Sequence, residues 1–246
     1  MARFYLPKER IQDKRGILVG EELAHLGRVL RLSVGDRLSV FDDTGWEHEA
    51  VIRSISAEQG EIDILRSFQT ERESPLEITL ALGLTKGEKM DMVIEKATEL
   101  GTQTLVAFLS SYTVPKLNER KIEKRAERWQ RITISAAKQS GRARVPKILP
   151  LCEFRELIGQ PWSGMLKLLF WEREGQQTLK QLHESEPEAG KILLVIGPEG
   201  GFSFEEVDAA HKNGFRSVGL GRRILRAETA AIAATSMVQF LWGDLS

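Results

Sequence analysis

Two glycine-rich stretches carry the residues best suited to chemistry. Ile196-Gly197-Pro198-Glu199-Gly200-Gly201-Phe202-Ser203 leaves one apolar run, and Gly219-Leu220-Gly221-Arg222-Arg223-Ile224-Leu225-Arg226-Ala227-Glu228-Thr229-Ala230 leaves another. Glycines at strand ends let backbone approach a ligand and take φ values that a Cβ forbids. Ligands of open α/β sheets settle at the carboxyl ends of strands, so the two loops together predict one small-molecule pocket. Its charge follows from Glu199. A dinucleotide loop seats phosphate on bare N–H groups at a helix N-terminus, where this carboxylate would repel it, so a ligand without phosphate, and a cation in particular, fits better. No Gly-x-x-x-x-Gly-Lys-Ser/Thr and no Gly-x-Ser-x-Gly occurs, and Gly219-Leu220-Gly221 lacks the third glycine of a dinucleotide fingerprint.

The elements that must hold these loops change character along the chain. Up to about residue 70 the pattern predicts short strands at Phe4 to Leu6, Ile17 to Val19, Arg37 to Phe41, Ala50 to Ile55 and Glu61 to Leu65. Turns are expected at Asp42-Asp43-Thr44-Gly45 and Gln59-Gly60, and one helix at Glu21 to Leu30, giving a small β-barrel over residues 1–72. After the polar linker Gln69 to Pro75, strands alternate with helices over residues 76–246. Strands are predicted at Leu76 to Leu82, Thr104 to Leu109, Leu166 to Trp171, Lys191 to Ile196 and Arg216 to Leu220. Helices are predicted at Gly87 to Leu100, from Asn118 to Gly141, at Gln176 to His183, after a Ser203/Glu206 capping box, and at Glu228 to Trp242. Alternation of this kind argues for an α/β fold with a mainly parallel sheet.

A length of 246 residues bounds the chain to roughly one or two domains. The first eight residues hold charge and proline where a signal peptide needs an apolar run, so the cytoplasm is expected and no membrane partner. Cys152 stands alone with four scattered histidines, which argues against a disulfide or a zinc site, so no metal is expected. Net charge is zero, yet between Val114 and Pro150 eleven Lys or Arg face three Glu. Such a stripe is either a surface for phosphate backbone or a solvated helix face with paired charges. The last helix is rich in small residues and permits close approach, either to neighbouring strands or to a second subunit.

Several stretches together resemble a known family. Arg3-Phe4-Tyr5, His25 to Arg31, Lys86-Gly87 with Glu95 to Gly101, Gln139-Ser140-Gly141-Arg142, Ile196 to Gly201 and Leu220 to Ala230 are similar to the knotted SPOUT-class RNA methyltransferases. More narrowly, they resemble bacterial 16S rRNA uracil-N3 methyltransferases. The resemblance implies a PUA-like RNA-binding β-barrel followed by a knotted α/β SPOUT domain, an S-adenosyl-L-methionine cofactor, a homodimer, and 16S rRNA of the small ribosomal subunit as partner. It implies a cofactor site at Gly197, Pro198, Glu199, Gly200, Gly201, Leu220, Gly221, Ile224, Leu225 and Ala230. Arg3, Arg28, Arg31, Lys86, Arg120, Lys124, Arg142 and Arg144 are the expected RNA contacts.

Methylation of uracil N3 removes a proton while the flanking carbonyl oxygens take up negative charge. Arg226 is expected to meet that charge, and Glu228 or Glu199 to act as base or to orient Arg226; the alternative is that both glutamates only cap helices. Where the family often has threonine after the arginine this chain has Ala227, and where it often has glutamate before Gln139 it has Lys138. The alternatives are a SPOUT ribose 2′-O methyltransferase, whose early Asn-x-Gly-x-x-x-Arg motif is absent here, and a non-catalytic RNA-binding or ribosome assembly protein.

Overall fold

A computed structural model describes residues 1–113, 118–174 and 177–245. The chain divides into two compact units: Met1–Glu73 with Ala137–Val145, and Ser74–Ala136 with Pro146–Ser246.

The first unit holds β1 (Arg3–Tyr5), β2 (Ile11–Gln12), β3 (Arg15–Leu18), α1 (Gly20–Ala24), β4 (Arg37–Phe41), β5 (Trp46–Ile55) and β6 (Gly60–Gln69). They form a mixed six-stranded sheet of order β1-β4-β5-β6-β3-β2, in which β1 and β4 are parallel. Alternation along β5 sends His48, Ala50 and Ile52 inward, where Ala50 and Ile52 join a core with Phe4, Leu6, Leu18, Leu26, Leu38, Val40 and Ile62. The Asp42 turn closes the β4–β5 hairpin, its carboxylate accepting from the Thr44 N–H at 2.9 Å while Gly45 takes φ +95°. The helix expected over Glu21 to Leu30 is split. After α1 the backbone widens into a π turn, His25–Val29, and the chain leaves it through Arg31 at φ +53°. Helical periodicity cannot register the extra residue that a π turn inserts.

The second unit holds β7 (Glu77–Gly83), α2 (Lys89–Glu99), β8 (Thr104–Leu109), α3 (Glu119–Ser140, whose end from Ala137 belongs to the first unit), β9 (Lys147–Glu153), α4 (Phe154–Gly159), β10 (Leu166–Phe170), α5 (Leu179–Ser185), β11 (Lys191–Ile196), α6 (Phe204–Lys212), β12 (Arg216–Val218) and α7 (Ala227–Trp242). All six strands are parallel in the order β12-β10-β11-β7-β8-β9. Strands buried on both faces read as unbroken apolar runs, as Ile192 to Ile196 does. One apolar layer packs α2, α5 and α7 on the sheet through Val93, Leu182, Ala231 and Val238. The other packs α4 and α6 through Phe154, Leu157, Val207 and Ala210.

β9 and α4 are absent from the sequence-based expectation. Pro150 interrupts the β9 pattern, but β9 is an edge strand, where a missing N–H is tolerated. The six residues of α4 are too few to show a period. Asn118 caps α3 through a 3.0 Å bond from the Lys121 N–H, and the Ser203/Glu206 box caps α6. The expected helix start at Gln176 lies outside the described residues; α5 begins after Thr178, its cap. Among the described residues no helix is long and apolar enough to cross a membrane.

Candidate active site

Strands β10, β11 and β12 end side by side, and the loops that leave them enclose a cavity of about 470 Å³. That size lies within the roughly 300–1,000 Å³ of small-molecule sites. Phe170 and Trp171 enter from the end of β10, Ile196 to Phe202 from β11, and Val218, Leu220, Gly221 and Arg223 to Ala227 from β12. All ten residues expected at the cofactor lie on its wall: Gly197, Pro198, Glu199, Gly200, Gly201, Leu220, Gly221, Ile224, Leu225 and Ala230. The glycines are there for stated reasons. Gly201 and Gly221 take φ +70° and +92°, and a Cβ on Gly197 would meet Gly201 backbone carbons at 3.3 Å.

Charge on the wall is fixed by an ion pair that periodicity did not reveal. Lys89, the first residue of α2, places Nζ 3.0 Å from Glu199 Oε1 and 3.9 Å from Glu228 Oε2. Burial pushes the Glu199 carboxyl up, but hydrogen bonds from Lys89 Nζ, from its own N–H and from the Lys86 N–H outweigh this and hold it below the usual carboxylate range. Glu199 is therefore a fixed anion beside the cavity. Glu228 is 13% exposed, stands behind Lys89 rather than on the wall, and leaves Oε2 buried without a hydrogen-bond donor.

Arg226 lines the cavity, is exposed, and makes no ion pair among the described residues. Among the described residues neither Glu199 nor Glu228 pairs with Arg226: Lys89 bonds Glu199 at 3.0 Å and lies 3.9 Å from Glu228. The capping alternative is also not what Glu199 does, since Ser203 and Glu206 cap the helix that follows and Glu199 is tied to the β7–α2 connection instead. Besides Lys89, sequence reasoning missed Trp171 and Glu172. Glu172 lies beside Gly201, its Oε1 3.1 Å from where a Cβ would stand. Their signal was position, immediately after a strand in the half that carries both glycine loops.

The expected RNA contacts separate into two sets. Arg28, Arg31, Lys86, Arg120, Lys124 and Arg144 carry exposed side chains. Arg3 and Arg142 do not belong with them. The Arg3 guanidinium donates through its Nη atoms to the carbonyls of Ala137 at 2.9 Å and Arg142 at 2.8 Å and pairs with Glu47 at 3.2 Å, so these donors are spent inside the first unit, and its Nε is buried without a partner. Arg142 is 2% exposed and bonds Glu73 at 2.9 Å. Two further members of the basic stripe are paired: Arg128 with Asp91 at 2.6 Å, and Lys138 with Glu22 at 2.9 Å. The departure at Lys138 thus serves an ion pair within the first unit. Lys116, counted in the stripe, lies outside the described residues. His25 packs edge-on against Phe4, which is core rather than a stacking platform.

Residues 72–239 match the RNA methyltransferase domain family and residues 18–65 the RNA methyltransferase PUA domain family. The chain is 31% identical over 247 residues to Ribosomal RNA small subunit methyltransferase E of Bacillus subtilis, covering 98% of this chain and 96% of that one. It is 33% identical over 251 residues to the protein of that name from Buchnera aphidicola subsp. Schizaphis graminum, covering 99% and 98%. Among solved structures it is similar to Ribosomal RNA small subunit methyltransferase E from Neisseria gonorrhoeae bound to S-adenosyl methionine, with 36% identity, a TM-score of 0.90 and full coverage of both chains. It is also similar to a Legionella pneumophila protein described as a methyltransferase in complex with SAM, with 33% identity, a TM-score of 0.91, and 100% and 99% coverage.

Proposed function

Since the chain belongs to the RNA methyltransferase family, with its PUA domain in the first unit, we propose that it methylates N3 of a uracil in 16S rRNA of the small ribosomal subunit, using S-adenosylmethionine, in the cytoplasm. The observation that carries this reading is the cavity itself. Glycine loops offer it close backbone, and its fixed anion, Glu199, suits a sulfonium and disfavours a phosphate. S-adenosylmethionine would supply the methyl group as a sulfonium substituent, and the strand-end loops of β11 and β12 would hold it.

The remaining chemistry belongs to this chain's side chains. Losing the N3 proton to solvent water or hydroxide leaves negative charge on the two flanking carbonyl oxygens, and a guanidinium beside them favours that anion. That Arg226 lies on the wall without an ion pair among the described residues supports this role for it. Glu199, held below the ordinary carboxylate range, is a poor proton acceptor and a good fixed counter-charge to the sulfonium. Lys89 holds it there, with Glu228 Oε2 3.9 Å from the same Nζ.

The exposed arginines and lysines of both units supply the phosphate contacts that RNA needs. Homodimer formation is part of the proposal and is supported by apolar side chains on and before α7: Ile224 is 84% and Phe240 64% exposed, beside the small residues of that helix. The reading is tested by mapping base methylation of small-subunit rRNA in cells lacking the protein. One missing methyl mark should return with the wild-type chain and not with Ala230→Phe, which fills the cavity. An unchanged methylation map would overturn it.

A further inference from the structure

Two large aromatic side chains stand in solvent next to the Gly197 to Ser203 loop: Phe204 is 61% exposed and Tyr112 51%. Neither is placed there by a weak local structure. Phe204 is the first residue of α6, directly after the Ser203 cap. Its ring meets the cavity-lining indole of Trp171 edge-on at 5.6 Å. Tyr112 lies against the loop at Gly200, where an added Cβ would come within 2.6 Å of the Tyr112 Cβ. The Ser111 N–H also donates to Glu206 Oε1 at 2.8 Å, so the Tyr112 turn and the start of α6 are tied together. The Arg173 guanidinium lies 4.8 Å over the Phe204 ring and makes no ion pair among the described residues.

Exposed rings held on a rigid base beside an unpaired cation have a specific use in RNA recognition. Unpaired bases stack on aromatic faces and guanidinium planes, while the neighbouring phosphate meets the charge. A uracil in a helix hides N3 in its base pair, so a uracil methylated there must be unpaired, and its neighbours lose stacking partners too. We propose that Phe204, Tyr112 and Arg173 form a shelf that stacks an unpaired nucleobase of the rRNA next to the uridine being methylated. This rests on the reading of the chain as an rRNA methyltransferase.

The test uses the full-length protein and a set of single-stranded oligonucleotides around the modified uridine, each with one flanking nucleotide made abasic. At one flanking position the wild type should bind the abasic strand about 5- to 150-fold more weakly, the range expected for one stacked base. In Phe204→Ala that penalty should vanish, with intact RNA bound as weakly as the abasic strand is by the wild type. Phe204→Trp should keep it. Arg173→Ala should leave the abasic penalty in place and lower the salt slope by about 0.7. Donor affinity and melting temperature should be unchanged in each variant.

An abasic penalty as large in Phe204→Ala as in the wild type would overturn the shelf, as would a Phe204→Ala chain whose sole defect is loss of the dimer. Failure of the underlying reading looks different: the wild type itself would neither bind the intact strand nor methylate it. Should Phe204→Ala fail to fold, Tyr112→Ala carries the abasic measurement and Arg173→Ala the salt slope.

Discussion

Lys89 Nζ lies 3.0 Å from Glu199 Oε1, so a cation from the first turn of α2 fixes the charge of the glycine loop that follows β11. The two residues are far apart in sequence and meet because β7 and β11 are neighbours in the sheet. The ionised form of a cavity-lining carboxylate is thereby favoured, and its position is set by a strand pairing rather than by the loop alone.

That pair makes the donor site resistant to acid. Because Glu199 is held below the usual carboxylate range, its anion, and the affinity for a cationic donor that depends on it, persists above that depressed pKa and is lost only as pH falls through it. Lys89→Met removes the cation among the groups that oppose burial and leaves only the two backbone N–H bonds, so the carboxyl rises toward the usual carboxylate range. Donor affinity measured by calorimetry from pH 8 to pH 4 should then decline at higher pH in the variant than in the wild type. Coincident profiles would remove Lys89 from the site.

Filling the cavity should separate binding from folding. Ala230 lines the wall from the exposed-to-cavity side of α7, and a helix accepts phenylalanine at a partly buried site at small cost. Ala230→Phe should melt within a few degrees of the wild type and lose donor binding by at least about 100-fold. Gly200→Trp is a poorer test, since it would also strike Tyr112.

Much of this arrangement was legible because it rests on local signals. The two glycine loops, the Ser203/Glu206 cap and the apolar runs of β8 and β11 lie where composition puts them, whereas the ten wall residues came from the family resemblance that those loops help to carry. What was hidden depends on strand order. Nothing local to Lys89 says that it reaches Glu199, and nothing local to Arg3 says that its donors will be consumed by carbonyls of Ala137 and Arg142. Charge counting treats every arginine alike, whereas burial decides which of them can meet a phosphate.

Arg3 and Glu47 should contribute acid-sensitive stability to the first unit. Burial pushes the Glu47 carboxyl up, but bonds from the Ser39 hydroxyl and Arg3 outweigh it and the net direction is down. A depressed folded-state pKa gives stability that is present above the unfolded carboxylate value and is lost as pH falls through the folded one. Chemical denaturation should show this loss below about pH 4.3, and Glu47→Gln, which leaves Arg3 without its anion, should cost about 3 kcal/mol at neutral pH. Equal stability of the variant and the wild type at pH 7 would contradict the pairing.

The exposed and the paired parts of the basic stripe should behave differently toward RNA. Arg120→Ala and Lys124→Ala remove exposed charges, and each one that meets a phosphate should flatten the plot of log affinity against log salt by about 0.7. Arg142→Ala breaks the buried pair with Glu73 and should instead lower the melting temperature of the protein. Filter binding at several salt concentrations beside thermal melts distinguishes the two. A flattened slope with unchanged melting in Arg142→Ala would return that residue to the RNA surface.

Arg226 should govern the chemical step and not donor binding. Its guanidinium lines the cavity without an ion pair among the described residues, and a positioned donor facing developing oxyanion charge is worth roughly 10²- to 10³-fold in kcat. Stabilising the N3 anion also lowers the pH at which the base loses its proton, so in the wild type the rate should rise with pH and level off earlier than in Arg226→Ala. The variant should lose kcat by that factor at pH 7, recover part of it at pH 9, and bind the donor as before. Arg226→Lys keeps the charge but not the forked geometry and should fall between them. Single-turnover methylation measured across pH reads all three, and a variant with full kcat and an unshifted profile would take Arg226 out of the reaction.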